Sequence, residues 1–515
     1  MKEYIMKNEK IHTNTRVIII LLLSITSCST LWADVTLPHI ISDNMVLQRD
    51  KELPIWGWAQ SSETVSVEIN GHRTTTKADE KGKWMVKLPA MSVGGPFEMT
   101  IKGNNTIRLS NVIVGEVWLC SGQSNMELTV GGAFNSEKEI TEANYPDIRQ
   151  FDIPNKTAGR PRPDVDAAWV PCSPQTAGGF TAVGYFFARQ IHKELNVPIG
   201  LINSSWGGSR IEPWTPPAGF QMVEKTKDIS ERIKQANTDY RKAVEKALDR
   251  IQEWIPVAKK ALAEDNELPL DPEFPRHQLD SYWEPAGMYN AMIHPIIPFA
   301  IRGALWYQGE ANVGEGMLYY EKMKALIGGW RKLWGDDAFP FYYVQLAPFT
   351  YGGGPYRLPA IWQAQTKALS IPNTGMAVTV DIVDDIRDIH PKNKQDVGRR
   401  LALWALAKTY GEKTVVYSGP LYKNMEIENE KIRIYFDNVG TGLISRDGKE
   451  LTYFEIAGSD KKFVEAHAFI EDDTVVVSSD TIKEPAAVRF AWNEEAQPNL
   501  SNKQGLPASS FRTDD

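Results

Sequence analysis

A serine at position 124 stands in the segment SGQSNM (121–126), directly after the strand-like residues 112–120. A serine hydroxyl becomes an effective nucleophile only when a neighbouring base accepts its proton, and a histidine in that role needs a carboxylate or carbonyl group to hold its tautomer. The segment Asp388-Ile389-His390 offers a carboxylate and a histidine two residues apart. These residue types predict acyl transfer by a triad of Ser124, His390 and Asp388.

The expected positions of these residues in the fold bring them together. Ser124 follows the first strand of a predicted parallel sheet, and His390 follows the last one and precedes a helix that begins near Gln395. In open α/β sheets the ligands bind at the carboxyl edge of the strands, where both side chains would project. The serine motif G-Q-S-N lacks the second glycine of the G-x-S-x-G elbow, which disfavours the α/β-hydrolase family.

Other residues compete for the roles of base and carboxylate. His294 is the main rival base, but it precedes a predicted sheet strand instead of following one, which favours a structural role. Asp381 and Asp385 are alternative carboxylates for orienting the imidazole. Lys392 and Lys394 follow the predicted base closely, and we expect both to be solvated.

Hydrophobic periodicity predicts the elements that position these residues. Apolar runs separated by helical segments indicate an α/β fold with a parallel sheet covered by helices. The predicted strands occupy residues 112–120, 199–203, 301–307, 341–346 and 376–380. Apolar residues at helical spacing predict amphipathic helices over residues 183–195 and 318–334.

Alternating apolar and polar residues on either side of this region predict two β-sandwich-like domains. The N-terminal one covers residues 34–110, with a hairpin turn at Asn70-Gly71, and the C-terminal one covers residues 415–515. The predicted catalytic domain is then 111–414. A charged helical insertion at 220–285 is expected to present a solvated face.

Residues 1–33 resemble a targeting segment. Basic residues precede the apolar run 17–23, which is too short to span a bilayer. Cleavage after Ala33 and lipidation at Cys28, in the lipobox-like sequence ITSC, are both open alternatives. We expect an exported protein without a transmembrane span that is periplasmic, secreted or held at the cell surface by a lipid on Cys28.

Composition argues against several classes of protein. The formal net charge of -8, with both signs mixed along the chain, provides no basic stripe for a phosphate backbone, so nucleic acid is not an expected partner. Apart from Cys28, the chain has only Cys120 and Cys172, which cannot form a disulfide framework and lack metal-site spacing. No metal or other cofactor is expected.

Four segments in order, GEVWLCSGQSNMEL, NSSWGGSRIEPW, HPIIPFAIRGALWYQGEAN and DIHPKNKQDVGRRLA, resemble successive blocks of the sialate O-acetylesterase family of SGNH hydrolases. The similarity runs from about Val35 to the C-terminus. The resemblance implies an SGNH-type three-layer α/β/α domain and a Ser-His-Asp mechanism on acetyl esters, in which Ser124 attacks, His390 moves the proton and Asp388 orients the imidazole.

The resemblance also implies an oxyanion hole. Its donors would be the backbone N–H of Ser124, a backbone N–H in Gly207-Gly208, and a side-chain amide from the block 308–312. In the simplest SGNH pattern an asparagine follows the glycine by two positions, and Ala311 occupies that place here. This departure favours Gln308 over Asn312 as the amide donor.

Further polar residues in these blocks are candidate contacts to a substrate. Gln123 and Asn125 flank the nucleophile, Glu310 lies beside the predicted hole, and Arg210 has the geometry to bind a carboxylate such as that of sialic acid. For Glu310 a structural role is favoured.

Three functions are compatible with these observations. The first is hydrolysis of O-acetyl esters of sialic acid, and the second is the same chemistry on other acetylated glycans such as xylan or pectin. The third is a carbohydrate-binding protein with an inactive α/β domain. Ser124, Asp388 and His390 together argue against the third, because a binding protein has no need of all three.

Overall fold

The structure is a computed structural model that describes residues 34–514. The predicted targeting segment 1–33, with its lipidation candidate Cys28, lies outside the described residues. Within residues 34–514, no helix has both the length and the apolar character needed for a membrane span.

The N-terminal region is built from six short strands. These are β1 (Val46–Gln48), β2 (Leu53–Trp58), β3 (Thr64–Ile69), β4 (His72–Lys77), β5 (Lys83–Leu88) and β6 (Gly94–Lys102). Strands β3 and β4 form an antiparallel hairpin, as predicted. Its turn contains Asn70 and Gly71 with φ values of 47° and 77°, which match the left-handed conformations that a two-residue hairpin turn requires.

The longest strand, β7 (Thr106–Gly122), connects this region to the central sheet. Its first part pairs antiparallel with β6, and its later residues pair in parallel with β1 and with two strands of the central sheet. The strand therefore crosses the domain boundary predicted at residue 110. One continuous hydrophobic core contains residues from both regions.

The central sheet has seven strands in the order β13-β12-β11-β7-β10-β8-β9. In addition to β7 they are β8 (Tyr145–Asp152), β9 (Trp169–Cys172), β10 (Ile199–Ser205), β11 (Gly303–Tyr307), β12 (Phe341–Val344) and β13 (Thr374–Ala377). Every pairing along this order is parallel except that of β8 with β9. The parallel sheet is confirmed, although the sequence analysis did not identify β8 and β9.

In the part of the chain that the structure describes, eight α-helices lie around and beyond this sheet. They are α1 (Ser124–Glu127), α2 (Ser136–Thr141), α3 (Ala182–Leu195), α4 (Pro217–Met222), α5 (Lys227–Ala263), α6 (Leu318–Trp334), α7 (Arg357–Ala368) and α8 (Lys394–Trp404). The predicted amphipathic helices correspond to α3 and α6. Helix α5, within the predicted insertion, is largely exposed, as its charge density indicated.

Shorter helical turns connect these elements. Six are 3₁₀ turns, at Val130–Gly132, Ala177–Gly179, Glu212–Trp214, Glu224–Thr226, His294–Ile296 and Glu310–Asn312. Two are π turns, at Tyr289–Ile293 and Ala405–Thr409.

The C-terminal region consists of small antiparallel sheets. Its strands are β14 (Leu421–Glu428), β15 (Lys431–Asp437), β16 (Leu443–Ser445), β17 (Phe454–Ala457), β18 (Val464–Glu465), β19 (His467–Glu471), β20 (Thr474–Ser478), β21 (Ala487–Phe490), β22 (Leu500–Asn502) and β23 (Phe511–Arg512). They enclose a second hydrophobic core. The predicted C-terminal β region is therefore present.

Candidate active site

Ser124 begins helix α1 just beyond the end of β7. The turn between them requires Gly122, whose φ is 142° and whose Cβ, if present, would lie 2.1 Å from the carbonyl oxygen of Tyr307. The sheet extends from β7 in both directions, through β10 on one side and β11 on the other. Such a position is where open α/β sheets bind ligands.

The imidazole of His390 lies beside this serine. Its Nε2 is 2.8 Å from Oγ of Ser124, the distance that proton transfer to a general base requires. The rival His294 instead places Nδ1 2.9 Å from the carbonyl oxygen of Arg162. The structure thus brings together the serine and the histidine that the sequence analysis paired.

Asp388 lies on the opposite side of the imidazole at a longer distance. Its Oδ1 is 3.8 Å from Nδ1 of His390 and accepts a 2.9 Å hydrogen bond from the backbone N–H of the same residue. The side chain of Asp388 is 46% exposed, and that of His390 is 40% exposed. Asp388 is close enough to act electrostatically on the imidazole. Its carboxylate oxygen, however, accepts a hydrogen bond from the backbone of the 388–390 turn and not from the ring.

The two rival carboxylates have other partners. The side chain of Asp381 is 7% exposed and binds Arg400 at 2.6 Å and Arg446 at 3.2 Å. Asp385 is bound by Arg387 at 3.0 Å on the surface. Both aspartates therefore balance arginine charges, and Asp388 is the member of this acidic cluster that contacts the histidine.

A buried polar network lies behind the serine and the histidine. The ammonium group of Lys394 donates to Oδ1 of Asn125 at 2.6 Å. The amide of Asn125 in turn donates to Oε1 of Glu310 at 2.6 Å and to the carbonyl oxygen of Ile389 at 3.0 Å. The network therefore ties the residue after Ser124 to the residue before His390.

Burial shifts the pKa values of the titratable groups in this network and of His390. It lowers the pKa of Lys394 to about 7, against the opposing effect of Glu310, and it raises the pKa of Glu310. The pKa of His390 is lowered, first by burial and then by the Lys394 charge, while Asp388 acts in the opposite direction. The expectation that Lys394 is solvated was wrong, whereas Lys392 is exposed.

The amide of Gln308 is committed to protein contacts. It is fully buried, and its Nε2 donates to Oε1 of Gln123 at 3.1 Å, to the carbonyl oxygen of Ser209 at 3.0 Å and to Oδ1 of Asn312 at 2.8 Å. Gln123 is buried as well and holds this loop instead of facing solvent. These contacts do not fit the predicted role of Gln308 as an oxyanion donor.

Asn312 and Arg210 belong to a neighbouring ionic cluster. Nδ2 of Asn312 donates to Glu212 and Glu315, each at 3.1 Å. Arg210 pairs with the same two carboxylates, and Lys322 binds both at 2.6 Å. The second amide candidate is therefore also occupied, and the guanidinium of Arg210 is already matched by two carboxylates. The sequence did not show this, because the cluster joins residues 210–212 to residues 312–322, which lie about 100 positions later in the chain.

Backbone donors remain available beside Ser124. The N–H of Gly207 donates to Oε2 of Glu127 at 2.6 Å. By contrast, the N–H groups of Gly208 and Ser124 have no acceptor among the residues that the structure describes. Ser124 begins a helix, whose first-turn N–H groups lack an intrahelical acceptor, and Gly208 lies in the turn after β10. Both unpaired N–H groups can therefore donate to a developing oxyanion.

Aromatic side chains that the sequence analysis did not single out adjoin the same loop. The rings of Trp206 and Tyr282 meet edge to face at 4.9 Å, and those of Tyr282 and Trp283 at 4.6 Å. The hydroxyl of Tyr282 donates to the carbonyl oxygen of Gly207. Two of the three come from the predicted insertion, whose sequence gives no sign of its proximity to the serine.

No metal-binding arrangement accompanies these groups. Across residues 34–514, no three or more His, Cys, Asp or Glu side chains are grouped so that they could hold a metal ion.

Comparisons with a family model and with known proteins match the same kind of enzyme. The family model for "Carbohydrate esterase, sialic acid-specific acetylesterase" matches residues 114–252 and 277–407. The sialate O-acetylesterase of Rattus norvegicus is 33% identical over 88% of this chain and 88% of its own length. The Homo sapiens protein of the same name is 31% identical over 77% of this chain and 76% of its own length.

A solved structure is similar along nearly the whole chain. The crystal structure of a carbohydrate acetylesterase from Xanthomonas citri superposes with a TM-score of 0.79 at 37% sequence identity. The match covers 93% of this chain and 100% of the other. The likeness thus includes the β regions as well as the central sheet.

Proposed function

Because this chain belongs to the sialic acid-specific acetylesterase family of carbohydrate esterases, we propose that it hydrolyses sugar O-acetyl esters through an acetyl-enzyme on Ser124. The observation that carries the proposal is the 2.8 Å contact between Oγ of Ser124 and Nε2 of His390. A base at this distance can take the hydroxyl proton as the oxygen attacks.

The reaction has two proton-balanced halves. Oγ of Ser124 attacks the acetyl carbonyl carbon while His390 accepts the hydroxyl proton. The ester bond to the sugar then breaks, and the imidazolium returns the proton to the departing sugar oxygen. Water enters, loses a proton to His390 and attacks the acetyl-enzyme, which releases acetic acid and restores Ser124.

Three groups would stabilise the charges that appear along this path. The N–H groups of Ser124 and Gly208 would donate to the oxyanion, and such a donor typically contributes about 3 kcal/mol to the transition state. The carboxylate of Asp388 would favour the imidazolium from 3.8 Å.

The nucleophile and the base are tested by Ser124→Ala and His390→Ala on 4-nitrophenyl acetate, with His294→Ala as the matched histidine control. Both site variants should lose nearly all hydrolysis while retaining the wild-type thermal unfolding midpoint, and the control should stay active. A fluorophosphonate, which phosphonylates serine nucleophiles with loss of fluoride, should label the wild type on the peptide that contains Ser124. Hydrolysis by Ser124→Ala, or labelling elsewhere, would contradict the proposal.

For the sugar, we propose O-acetylated sialic acid, supported by the rat and human relatives named sialate O-acetylesterase. An acetylated neutral glycan is the second candidate. It is favoured by the pairing of Arg210 with two carboxylates, which leaves the sialate carboxylate without the cation expected for it. Acetate release from O-acetyl sialic acid, acetylated xylan oligosaccharides and acetylated pectin oligosaccharides decides between them, and the preferred substrate has the highest kcat/KM.

We also propose that the protein is exported, supported by the basic residues and the apolar run in residues 1–33. Expression with a labelled fatty acid, followed by cell fractionation, distinguishes the alternatives. Label on Cys28 would support a lipoprotein, and an unlabelled mature protein that begins after Ala33 would support ordinary cleavage. A full-length chain retained in the cytoplasm would contradict export.

A further inference from the structure

The loop after β10 places an aromatic residue next to Gly207, which lies close to Ser124. Gly207 is so close to Ser124 that an added Cβ would lie 3.3 Å from the serine Cβ. Trp206 precedes this glycine, and the hydroxyl of Tyr282 donates to its carbonyl oxygen. The ring of Tyr282 is therefore fixed beside the serine, with its one polar group already satisfied.

Trp283 continues this surface into solvent. Its ring contacts Tyr282 edge to face at a centroid distance of 4.6 Å, and the residue is 63% exposed. The next residue, Glu284, forms a 3.5 Å ion pair with Arg232 of α5. The segment is thus tied on one side to the glycine loop and on the other to the long helix, and it holds a large apolar ring at the surface.

The exposed ring of Trp283 is connected through Tyr282 to the loop beside Ser124, and such a ring suits a ligand with an apolar face. The axial C–H groups of a pyranose form such a face, and aromatic rings present a matching flat surface without a charge. Glu127, the last residue of α1, accepts the N–H of Gly207 at 2.6 Å, and its negative charge beside this loop favours an uncharged ring over an anionic one.

We propose that Trp206, Tyr282 and Trp283 form a binding wall for a neutral pyranose ring attached to the acetylated sugar, so that the enzyme acts on oligosaccharides in preference to free monosaccharides. This inference rests on the proposed function, because it uses Ser124 as the point that fixes the acetylated ring. It does not depend on which sugar bears the acetyl group.

The test compares substrates of different length in matched pairs. One pair is O-acetyl sialyllactose and free O-acetyl sialic acid, and the other is mono-O-acetylated xylotriose and mono-O-acetylated xylose. The wild type should show a higher kcat/KM for the longer member of at least one pair. Trp283→Ala should reduce that preference by about tenfold, mainly through KM, and Trp283→Phe should restore most of it.

Phe274→Ala is the matched control, because Phe274 lies in the same insertion and is 55% exposed. It should leave the preference for the longer substrate unchanged. The absence of a length preference in both pairs, or an equal loss in Trp283→Ala and Phe274→Ala, would overturn the inference. Neither result would contradict the proposed acetyl-enzyme on Ser124, which Ser124→Ala tests separately.

Discussion

His390 has two supporting environments that differ in burial and in geometry. On one side, the carboxylate of Asp388 is about half exposed and 3.8 Å from the ring. On the other side, Lys394 and Asn125 are buried, and their hydrogen bonds of 2.6 to 3.0 Å reach the backbone next to the histidine.

This difference indicates how the two sides contribute. Solvent screens an exposed ion pair, which typically contributes between 0 and about 1 kcal/mol. Buried hydrogen-bonded groups interact more strongly and also cost more when one partner is lost. We infer that the hydrogen bonds of Lys394 and Asn125 position the base, and that the charge of Asp388 raises the pKa of the imidazole.

The strongest way to test this comparison is to remove the lysine. Lys394→Met should lower the free energy of unfolding by about 2 kcal/mol, because it leaves the buried amide oxygen of Asn125 without its donor and removes the positive charge near the buried carboxyl group of Glu310. It should also lower kcat on 4-nitrophenyl acetate by about 10²-fold, because small displacements of catalytic groups are costly. Chemical denaturation and steady-state kinetics measure the two effects.

Two further variants identify the cause of that loss. Lys392→Met, at an exposed lysine two residues away, should behave like the wild type. The double variant Lys394→Met with Glu310→Gln should recover part of the stability, since no unpaired carboxylate remains. If Lys394→Met were as stable and active as Lys392→Met, the buried network would not position the base.

The effect of removing the charge of Asp388 should be smaller. Asp388→Asn keeps an oxygen for the backbone N–H of His390 but loses the carboxylate, and we expect kcat to fall about tenfold. This is far less than the ~10⁴-fold loss found where an aspartate bonds the ring directly. Asp385→Asn, at an exposed neighbouring carboxylate, serves as the control. A loss near 10⁴-fold would show that Asp388 binds the ring during the reaction.

The smallest expected effect is a pair of opposite shifts in the pH profile. The base must be neutral, so kcat/KM should rise with pH, and its midpoint should lie below the ordinary histidine pKa of about 6.5 because burial and Lys394 lower the pKa of His390. Loss of the Lys394 charge should raise this midpoint, and loss of the Asp388 charge should lower it further. Shifts in the same direction would contradict the assignment of the two sides.

The sequence predicted those parts of the site that follow from strand order. Ser124 and His390 each follow a strand of one parallel sheet, so their meeting at its carboxyl edge could be expected. The burial of Lys394 could not, because it depends on how the first turn of α8 packs behind the serine. The occupation of the Gln308 amide likewise depends on partners about 100 and 185 residues away in sequence.

The fold, like the site, was predicted only in part from the sequence. Periodicity located helices α3 and α6, the helical insertion that contains α5, and five of the seven central strands, but it placed a domain boundary at residue 110, inside β7. The change from alternating to continuously buried residues along this strand is real. It marks the point where β7 becomes buried within the central sheet, while the chain itself continues without a break.

The length of β7 also has a consequence for cooperativity. A strand of 17 residues that pairs with β6 at one end and carries Ser124 beyond the other leaves no linker at which the N-terminal strands could detach. Local opening of these strands would withdraw pairing partners from the strand that supports the nucleophile. The amide hydrogens along the whole of β7 should therefore exchange at similar, slow rates. The N-terminal strands and the central sheet should unfold together as one cooperative unit.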